Sequence, residues 1–157
     1  MPAITPSLWF DDNLEEAAEF YTSIFPNSSI EEMHRFTDSG PGDPGSVAYG
    51  IFVLDGNRYI GINGGPMFQF SEAVSLMVHC KDQDEVDYYW DRLTDGGEES
   101  QCGWLTDRYG LSWQITPDRM FELQNDPDPA RADAANKAMM GMRKIVIAEL
   151  DAAADAV

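Results

Sequence analysis

Basic residues are scarce in this sequence, where 10 lysines and arginines stand against 28 aspartates and glutamates. The formal net charge is −18, and the basic residues are scattered between Arg35 and Lys144. Such a surface repels phosphate backbones and anionic headgroups, so we expect neither a nucleic-acid partner nor a membrane partner. We favour solubility or a salty cytoplasm as the reason for this charge over selection for a cationic partner.

Cysteine and long apolar runs are scarce as well. Cys80 and Cys102 are the only cysteines, which excludes a disulfide framework and a cysteine-rich zinc site. Every apolar run is shorter than the roughly 18 residues that span a bilayer, and the first residues lack the basic and apolar regions of a signal peptide. With 157 residues, we expect one domain in a cytoplasmic protein, with both thiols reduced.

The first part of the chain reads as a strand, a helix and three more strands. Residues 4–10 alternate in polarity, as in a half-buried strand. Apolar residues from Leu14 to Phe25 fall at helical spacing before Pro26. Three further strands are predicted over 29–36, 47–54 and 58–63, the last two joined by an Asp55-Gly56 hairpin turn.

The same order then repeats. A strand is predicted over 74–79, a helix over 84–93, and strands over 101–106 and 111–116. A shift of 68 positions places Leu8 on Leu76, Phe10 on Val78, Tyr21 on Tyr89 and Phe25 on Leu93. This periodicity indicates an α+β fold in which a β-α-β-β-β module occurs twice.

The segment from Asp126 onward is different in kind. Its Asp-Pro-Asp-Pro start cannot continue a strand, and the alanine-rich part after it places Ala135, Met139 and Met142 at helical spacing. Ile145, Ile147 and Leu150 form a second short apolar pattern. We therefore predict a helical tail over 126–157.

Several motifs in this chain resemble a known family. They are Leu8-Trp9-Phe10-Asp11, Phe20-Tyr21, Asn63-Gly64-Gly65-Pro66, the aromatic stretch Gln101 to Ile115, and Asp126-Pro127-Asp128-Pro129-Ala130-Arg131. In this order they resemble the PhnB-like branch of the vicinal oxygen chelate superfamily, which includes glyoxalases, dioxygenases and drug-binding resistance proteins. Fold alone does not fix activity in such a superfamily.

The resemblance implies a domain over 1–125, with modules at about 1–66 and 72–120, that forms a cupped mixed sheet. The superfamily usually completes its cups across a dimer, so we expect a homodimer. The loop from Gly64 to Phe70 could be a lid over the cup or a dimer contact, and we favour the dimer contact. Relatives often carry Asp at the position of Val146, where it would cap the last helix.

Superfamily enzymes hold a divalent metal with one ligand from each of four strands. The corresponding positions here are Thr5, Gly61 or Asn63, Ala73 and Gln114. Gln114 alone among them is a plausible ligand, and one amide oxygen cannot hold a transition metal against water. We therefore predict no metal and no cofactor, and we assign His34 and His79 to hydrogen-bonding or solvent-exposed roles.

What the resemblance leaves is a cup without its metal. The residues that it assigns to the inside of the cup are Ser7, Trp9, Asn63, Ser75, Met77, Ser112 and Gln114, and the aromatic stretch adds Cys102 and Trp104. This composition suits a small apolar or aromatic ligand oriented by a few hydrogen bonds. The alternative is that Trp9 and Met77 only fill the core. Trp113 has the opposite strand parity, so we expect it to pack against the second helix.

Two alternatives remain. The first is a metal-dependent lyase or isomerase of the glyoxalase type, with ligands outside the mapped positions. The second is a thiol-dependent enzyme using Cys102, although only Arg108 lies near in sequence and we favour an inert cysteine. Glu98 and Glu99 are poor acid-base partners, since strand neighbours point to opposite faces. PhnB-like sequences are often labelled 3-demethylubiquinone-9 3-methyltransferases, but the chain has no Gly-x-Gly-x-x-Gly motif after its first strand.

Overall fold

The computed structural model describes residues 3–157, and the chain forms two compact units. The first unit ends at Phe70, and the second runs from Ser71 to Val157. Residues 126–157 therefore belong to the second unit. The proposed separate domain over 1–125 stays a prediction.

The first unit has the predicted element order. Its elements are β1 (Ser7–Phe10), α1 (Leu14–Ile24), β2 (Ser29–Arg35), β3 (Val47–Leu54) and β4 (Asn57–Asn63). The strand order in the sheet is β1-β4-β3-β2, with β1 parallel to β4 and the other pairs antiparallel.

Helix α1 covers one face of this sheet. Leu8 and Phe10 of β1 and Phe52 of β3 are buried on that side together with Tyr21 of the helix. The helix approaches β4 closely at Gly61, where a Cβ atom would collide with the Leu14 side chain. The opposite face of the sheet carries no helix of this unit, and it is called the first open face below.

The second unit repeats this topology. It consists of β5 (Ser75–Cys80), α2 (Gln83–Thr94), β6 (Glu98–Glu99), β7 (Trp104–Thr106) and β8 (Ser112–Pro117), in the sheet order β5-β8-β7-β6. The parallel pair is again formed by the first and last strands. Two four-stranded mixed sheets with the same connectivity confirm the predicted α+β fold of paired β-α-β-β-β modules.

The number of positions between equivalent residues of the two modules is different for the helices and for the strands. Tyr21 and Ile24 are buried in α1, and Trp90 and Leu93 are buried in α2, so the helices match at a shift of 69 positions. Tyr89, which a shift of 68 pairs with Tyr21, is only half-buried. That pairing was wrong because the helices are offset by 69 positions, whereas the strand residues Phe10 and Val78 are offset by 68.

Three helices follow the second sheet: α3 (Asp118–Gln124), α4 (Pro129–Met140) and α5 (Ile147–Asp155). The sequence predicted the helical tail but not α3. Met120 and Leu123 of α3 pack with Ala135 of α4 and Leu150 of α5 in one buried cluster. Met142 also joins this cluster and so lies against its own unit.

Helix α5 is capped by a side chain of another helix. Val146 precedes the helix and offers no capping hydrogen bond. Instead, Gln83 of α2 accepts a hydrogen bond from the Ile147 amide at 2.8 Å and donates one to the Ile145 carbonyl at 3.0 Å. Gln83 thus satisfies a backbone donor that an Asp in place of Val146 would satisfy locally.

Within residues 3–157, no helix combines the length and the apolar character that a membrane crossing requires.

Candidate ligand-binding face

The second sheet also has a face that α2 does not cover, called the second open face here. Alternation along the strands brings to it five of the side chains predicted as ligand-binding residues, of which Ser112 is buried: Ser75, Met77, Trp104, Ser112 and Gln114. Trp104 and Gln114 are direct partners across β7 and β8, and Met77 is the partner of Gln114 on β5. Residues in such register have Cβ atoms about 5 Å apart.

Trp104 differs from the other three tryptophans in its hydrogen bonding. The indole Nε1–H donates to the Gly65 carbonyl from Trp9, to Glu99 from Trp90 and to Asp107 from Trp113. Among the described residues, the indole N–H of Trp104 has no protein acceptor. Buried tryptophans normally satisfy this donor, so the half-buried Trp104 presents an available donor on an aromatic surface.

Gln114 supplies the complementary group. Its Nε2 donates to Ser75 Oγ at 2.9 Å, which fixes the amide orientation. Its Oε1 has no partner within residues 3–157. Met77, which is 40% exposed, adds a flexible apolar surface beside it. The face thus combines one donor, one acceptor and an apolar surface, which suits a flat ligand carrying both kinds of polar atom.

Ser7 and Trp9 lie on the first open face, in the other unit. Trp9 is tied to the loop that follows β4, since its indole lies against Gly64, donates to Gly65 and meets the Phe68 ring edge-on at a centroid distance of 4.9 Å. Phe68 itself is 58% exposed. The indole N–H of Trp9 is therefore used in a hydrogen bond within its own unit, whereas the indole N–H of Trp104 is available.

Asn63 does not share the face of Trp9, and that expectation was wrong. It is the register partner of the buried Phe10, so its side chain points toward α1. Asn63 Oδ1 accepts from the Leu14 amide at 3.0 Å, and Nδ2 donates to the Val47 carbonyl at 3.0 Å. Asn63 on β4 therefore caps α1. The resemblance had assigned the Asn63 side chain to the inside of the cup, and that assignment gave no indication of the cap.

Sequence comparison identifies the family. Residues 2–116 match the family model described as 3-demethylubiquinone-9 3-methyltransferase. The chain belongs to this family. It is the PhnB-like branch of the vicinal oxygen chelate superfamily, as the motifs suggested. No curated protein matches the chain.

Solved structures show the same fold. The PhnB protein from Bacillus cereus is 35% identical with a TM-score of 0.69, over 74% of this chain and 99% of that protein. Protein PA1353 from Pseudomonas aeruginosa is 21% identical with a TM-score of 0.63, over 74% and 98%. The fosfomycin resistance protein FosX from Listeria monocytogenes, described in complex with Mn(II) and sulfate, is 17% identical with a TM-score of 0.53, over 71% and 88%. The last two show the fold alone.

The metal positions of the superfamily do not fit a divalent ion in this family member. At the positions mapped from the superfamily, Thr5 and Ala73 stand in place of metal-binding residues, and Gly61 has no side chain. Asn63 Oδ1 is bonded to the Leu14 amide of α1 and Nδ2 to the Val47 carbonyl of β3, which leaves Gln114 Oε1 as the one amide oxygen at these positions, and one amide oxygen cannot hold a transition metal against water. Among residues 3–157, no three or more His, Cys, Asp or Glu side chains lie close enough together to hold a metal ion. We therefore derive no chemistry through a metal.

The two histidines lie in different units and have local partners. His34 Nε2 is 2.7 Å from Glu32 and its ring stacks on Tyr49. His79 Nδ1 is 3.7 Å from Asp118 and its ring stacks on Phe121. The contact of His34 is a hydrogen bond, whereas His79 is exposed and its 3.7 Å contact is too long for one.

Cys102 lies in the turn before β7 with a positive φ of 59°. Its Sγ lies 3.9 Å from the thioether sulfur of Met140, and its amide donates to the Met142 carbonyl at 2.8 Å. The partner of the thiol is thus a thioether rather than a base. Cys80 is fully buried, and this burial raises the pKa of its thiol to about 12.

Asp107 is a buried structural carboxylate. It accepts hydrogen bonds from the amides of Tyr109 and Leu111 at 2.8 and 3.1 Å and from Trp113 Nε1 at 2.8 Å. Three donors on one carboxylate fix the turn before β8. Trp113 is only 2% exposed, which confirms its assignment to the core.

Proposed function

We propose that this protein binds a small, flat aromatic molecule on the second open face and does so without a metal. The observation that carries the proposal is the available indole N–H of Trp104 next to the available amide oxygen of Gln114. A ligand with an adjacent acceptor and donor, such as an aromatic lactam, matches both. Met77 and the indole ring supply apolar contact.

The competing functions have less support. The mapped ligand positions do not fit a metal-dependent lyase or isomerase, and among residues 3–157 no base lies beside the Cys102 thiol, whose partner is Met140. The B. cereus relative carries a methyltransferase description. Methyl transfer would require a site for a methyl donor, and neither a glycine-rich nucleotide motif nor a doubly wound sheet is found in the described part of the chain.

Calorimetry with 4-methylquinolin-2-one, a neutral aromatic lactam, tests the proposal on protein treated with a chelator. We expect saturable binding. Trp104→Phe keeps an aromatic ring but removes the donor, and Gln114→Leu removes the acceptor. Each should weaken binding about three- to tenfold, the range expected for one hydrogen bond. Gln124→Leu, which replaces an exposed amide on α3, is the control and should leave binding unchanged.

Two results would contradict the proposal. One is that neither this lactam nor naphthalene, an aromatic control without polar atoms, binds to the protein. The other is binding that all three variants retain equally. Elemental analysis of the purified protein tests the alternative of a metal-dependent enzyme. About one zinc, nickel, manganese or iron per chain after mild chelation would show that metal-binding residues lie outside the mapped positions.

We further propose a homodimer in the cytoplasm. Met67 and Phe68 are 77% and 58% exposed, and such apolar surface supports association. The lid role of the same loop stays open. Both cysteines are free thiols, which supports a reducing compartment.

A further inference from the structure

We infer that the second open face selects cationic aromatic ligands over anionic ones of the same size. This inference rests on the proposed function, because it concerns the ligand class of the same site. It follows from the charges around Trp104 rather than from the hydrogen-bonding pair that supports binding itself.

Glu98 places a carboxylate at the edge of this face. It is the register partner of Thr106, which lies two residues after Trp104 on the same side of β7. Diagonal neighbours in an antiparallel pair are about 7–8 Å apart, within reach of a ligand substituent. Glu98 is exposed, and within residues 3–157 it has no ion pair and no hydrogen bond.

Glu99 shows the contrast. It points to the other side of β6, where it accepts a hydrogen bond from Trp90 Nε1 at 3.0 Å and lies 3.7 Å from Arg143. The sequence correctly placed these neighbours on opposite faces. The Glu99 carboxylate therefore stabilises the fold, whereas the Glu98 carboxylate faces the proposed site.

Within the described part of the chain, no lysine or arginine lies on the second open face to offset Glu98. Every basic side chain of the second unit has its partner elsewhere. The ion pairs are Lys81–Glu85, Arg108–Asp95, Arg119–Asp151, Arg131–Asp126, Lys137–Asp133, Arg143–Glu99 and Lys144–Asp87, and Arg92 lies over the Tyr88 ring. A phosphonate or carboxylate ligand would find no lysine or arginine among residues 3–157 at this face.

The net charge of the protein and the Trp104 indole also favour a cationic ligand. The net charge of −18 attracts cations to the protein as a whole. The exposed part of the Trp104 ring favours a cation through its π electrons. His79, the other titratable group on this face, is held beside Asp118.

The test compares three quinolin-2-ones that differ only at position 4: aminomethyl as the cation, methyl as the neutral form and carboxylate as the anion. Calorimetry at neutral pH and low ionic strength should show the cation binding about tenfold more tightly than the anion, with a smaller difference at high salt. Glu98→Gln should reduce this preference several-fold. Glu19→Gln, an exposed site on α1 with the same change in net charge, should leave it unchanged.

The outcomes separate the inference from the proposed function. If the neutral lactam binds but cation and anion bind equally, the inference is wrong and the binding function stands. Equal effects of Glu98→Gln and Glu19→Gln would also overturn it, because net charge rather than Glu98 would then set the preference. If none of the three molecules binds, the proposed function itself fails.

Discussion

Hydrogen bonding of the indoles distinguishes the tryptophans of this chain at the scale of single residues. Their sequence positions and strand parity could predict that Trp113 is core and that Trp104 faces the other way. They could not show that Trp104 alone keeps an available N–H among the described residues. That depends on acceptors brought by Gly65, Glu99 and Asp107, each from a different turn or strand.

Trp113→Ala should lower the free energy of unfolding by about 3–5 kcal/mol, because it empties a large buried site and leaves Asp107 short of one donor. Trp104→Ala, at a half-buried site where the described residues offer the indole no hydrogen bond, should cost much less. Urea denaturation of both variants measures the difference. Equal losses would show that the two faces of β7 and β8 are assigned incorrectly.

Trp9 requires a revised expectation. If Trp9 only lined the predicted cup, Trp9→Ala would remove ligand contacts and leave the fold intact. Since the indole supports Gly64, Gly65 and Phe68, its loss should also loosen the 64–70 loop. Amide exchange should therefore become faster at Gly64 and Gly65 in Trp9→Ala, and unchanged exchange there would contradict the contacts described.

The buried thiol of Cys80 links stability to pH. Burial, with smaller contributions from the charges of Glu85, Asp118 and Asp82, raises its pKa from 9.0 to about 12. The folded protein thus holds this proton more tightly than the unfolded chain does. The resulting stability is fully present below about pH 9 and is lost as the pH rises toward 12, by about 1.4 kcal/mol per pH unit.

Unfolding measured between about pH 8 and 10.5 should therefore show a steeper loss of stability in the wild type than in Cys80→Ala. The substitution also creates a small cavity, but that cost is the same at each pH. Parallel pH profiles of the two proteins would rule out a raised thiol pKa.

At the scale of elements, the periodic segments were predictable and the short ones were not. The bounds of α1, α2, β3 and β4 lie within a residue or two of the predictions because their apolar spacing is regular. Strand β6 has only two residues, and α3 follows β8 directly, so neither gives a periodic signal of its own. Asn63 was misplaced because its partners, Leu14 and Val47, are distant in sequence.

The cap of α5 gives a prediction at this scale. Gln83→Ala should cost about 1–2 kcal/mol, since the Ile147 amide loses its acceptor and the Ile145 carbonyl its donor. Val146→Asp added to this variant should restore about 1 kcal/mol by supplying the local cap. Thermal unfolding measures both changes. Gln124→Ala is the control for loss of an exposed amide.

A Gln83→Ala effect no larger than that of Gln124→Ala would show that the bond between α2 and α5 does not stabilise the protein. Failure of Val146→Asp to restore stability would show that the cost arises from lost packing instead.

At the scale of the whole molecule, the tail is part of the second unit. A chain ending at Asn125 would expose Met120 and Leu123 and remove the carbonyls of Met142 and Arg143 that bond the turn at Cys102 and Gly103. We expect this truncation to lower the melting temperature and to increase binding of a hydrophobic dye. A truncated chain that melts like the full protein would support an independent domain over 1–125.

Association is the second whole-molecule prediction. Sedimentation at micromolar concentration should give about twice the chain mass of 17.5 kDa. Phe68→Asp should shift the protein toward monomer, because it places a charge in the exposed apolar loop. A monomeric wild type would contradict the dimer, and an unaffected dimer in Phe68→Asp would exclude this loop as the contact.

The indole N–H resonances give the most direct test of the central claim that the face around Trp104 binds ligand without a metal. In chelator-treated, ¹⁵N-labelled protein, Trp104→Phe assigns the Trp104 signal. Titration with 4-methylquinolin-2-one should move that resonance in a saturable way, while those of Trp90 and Trp113, which stay bonded to Glu99 and Asp107, remain in place. A ligand-induced shift confined to other tryptophans, or none at all, would contradict the account.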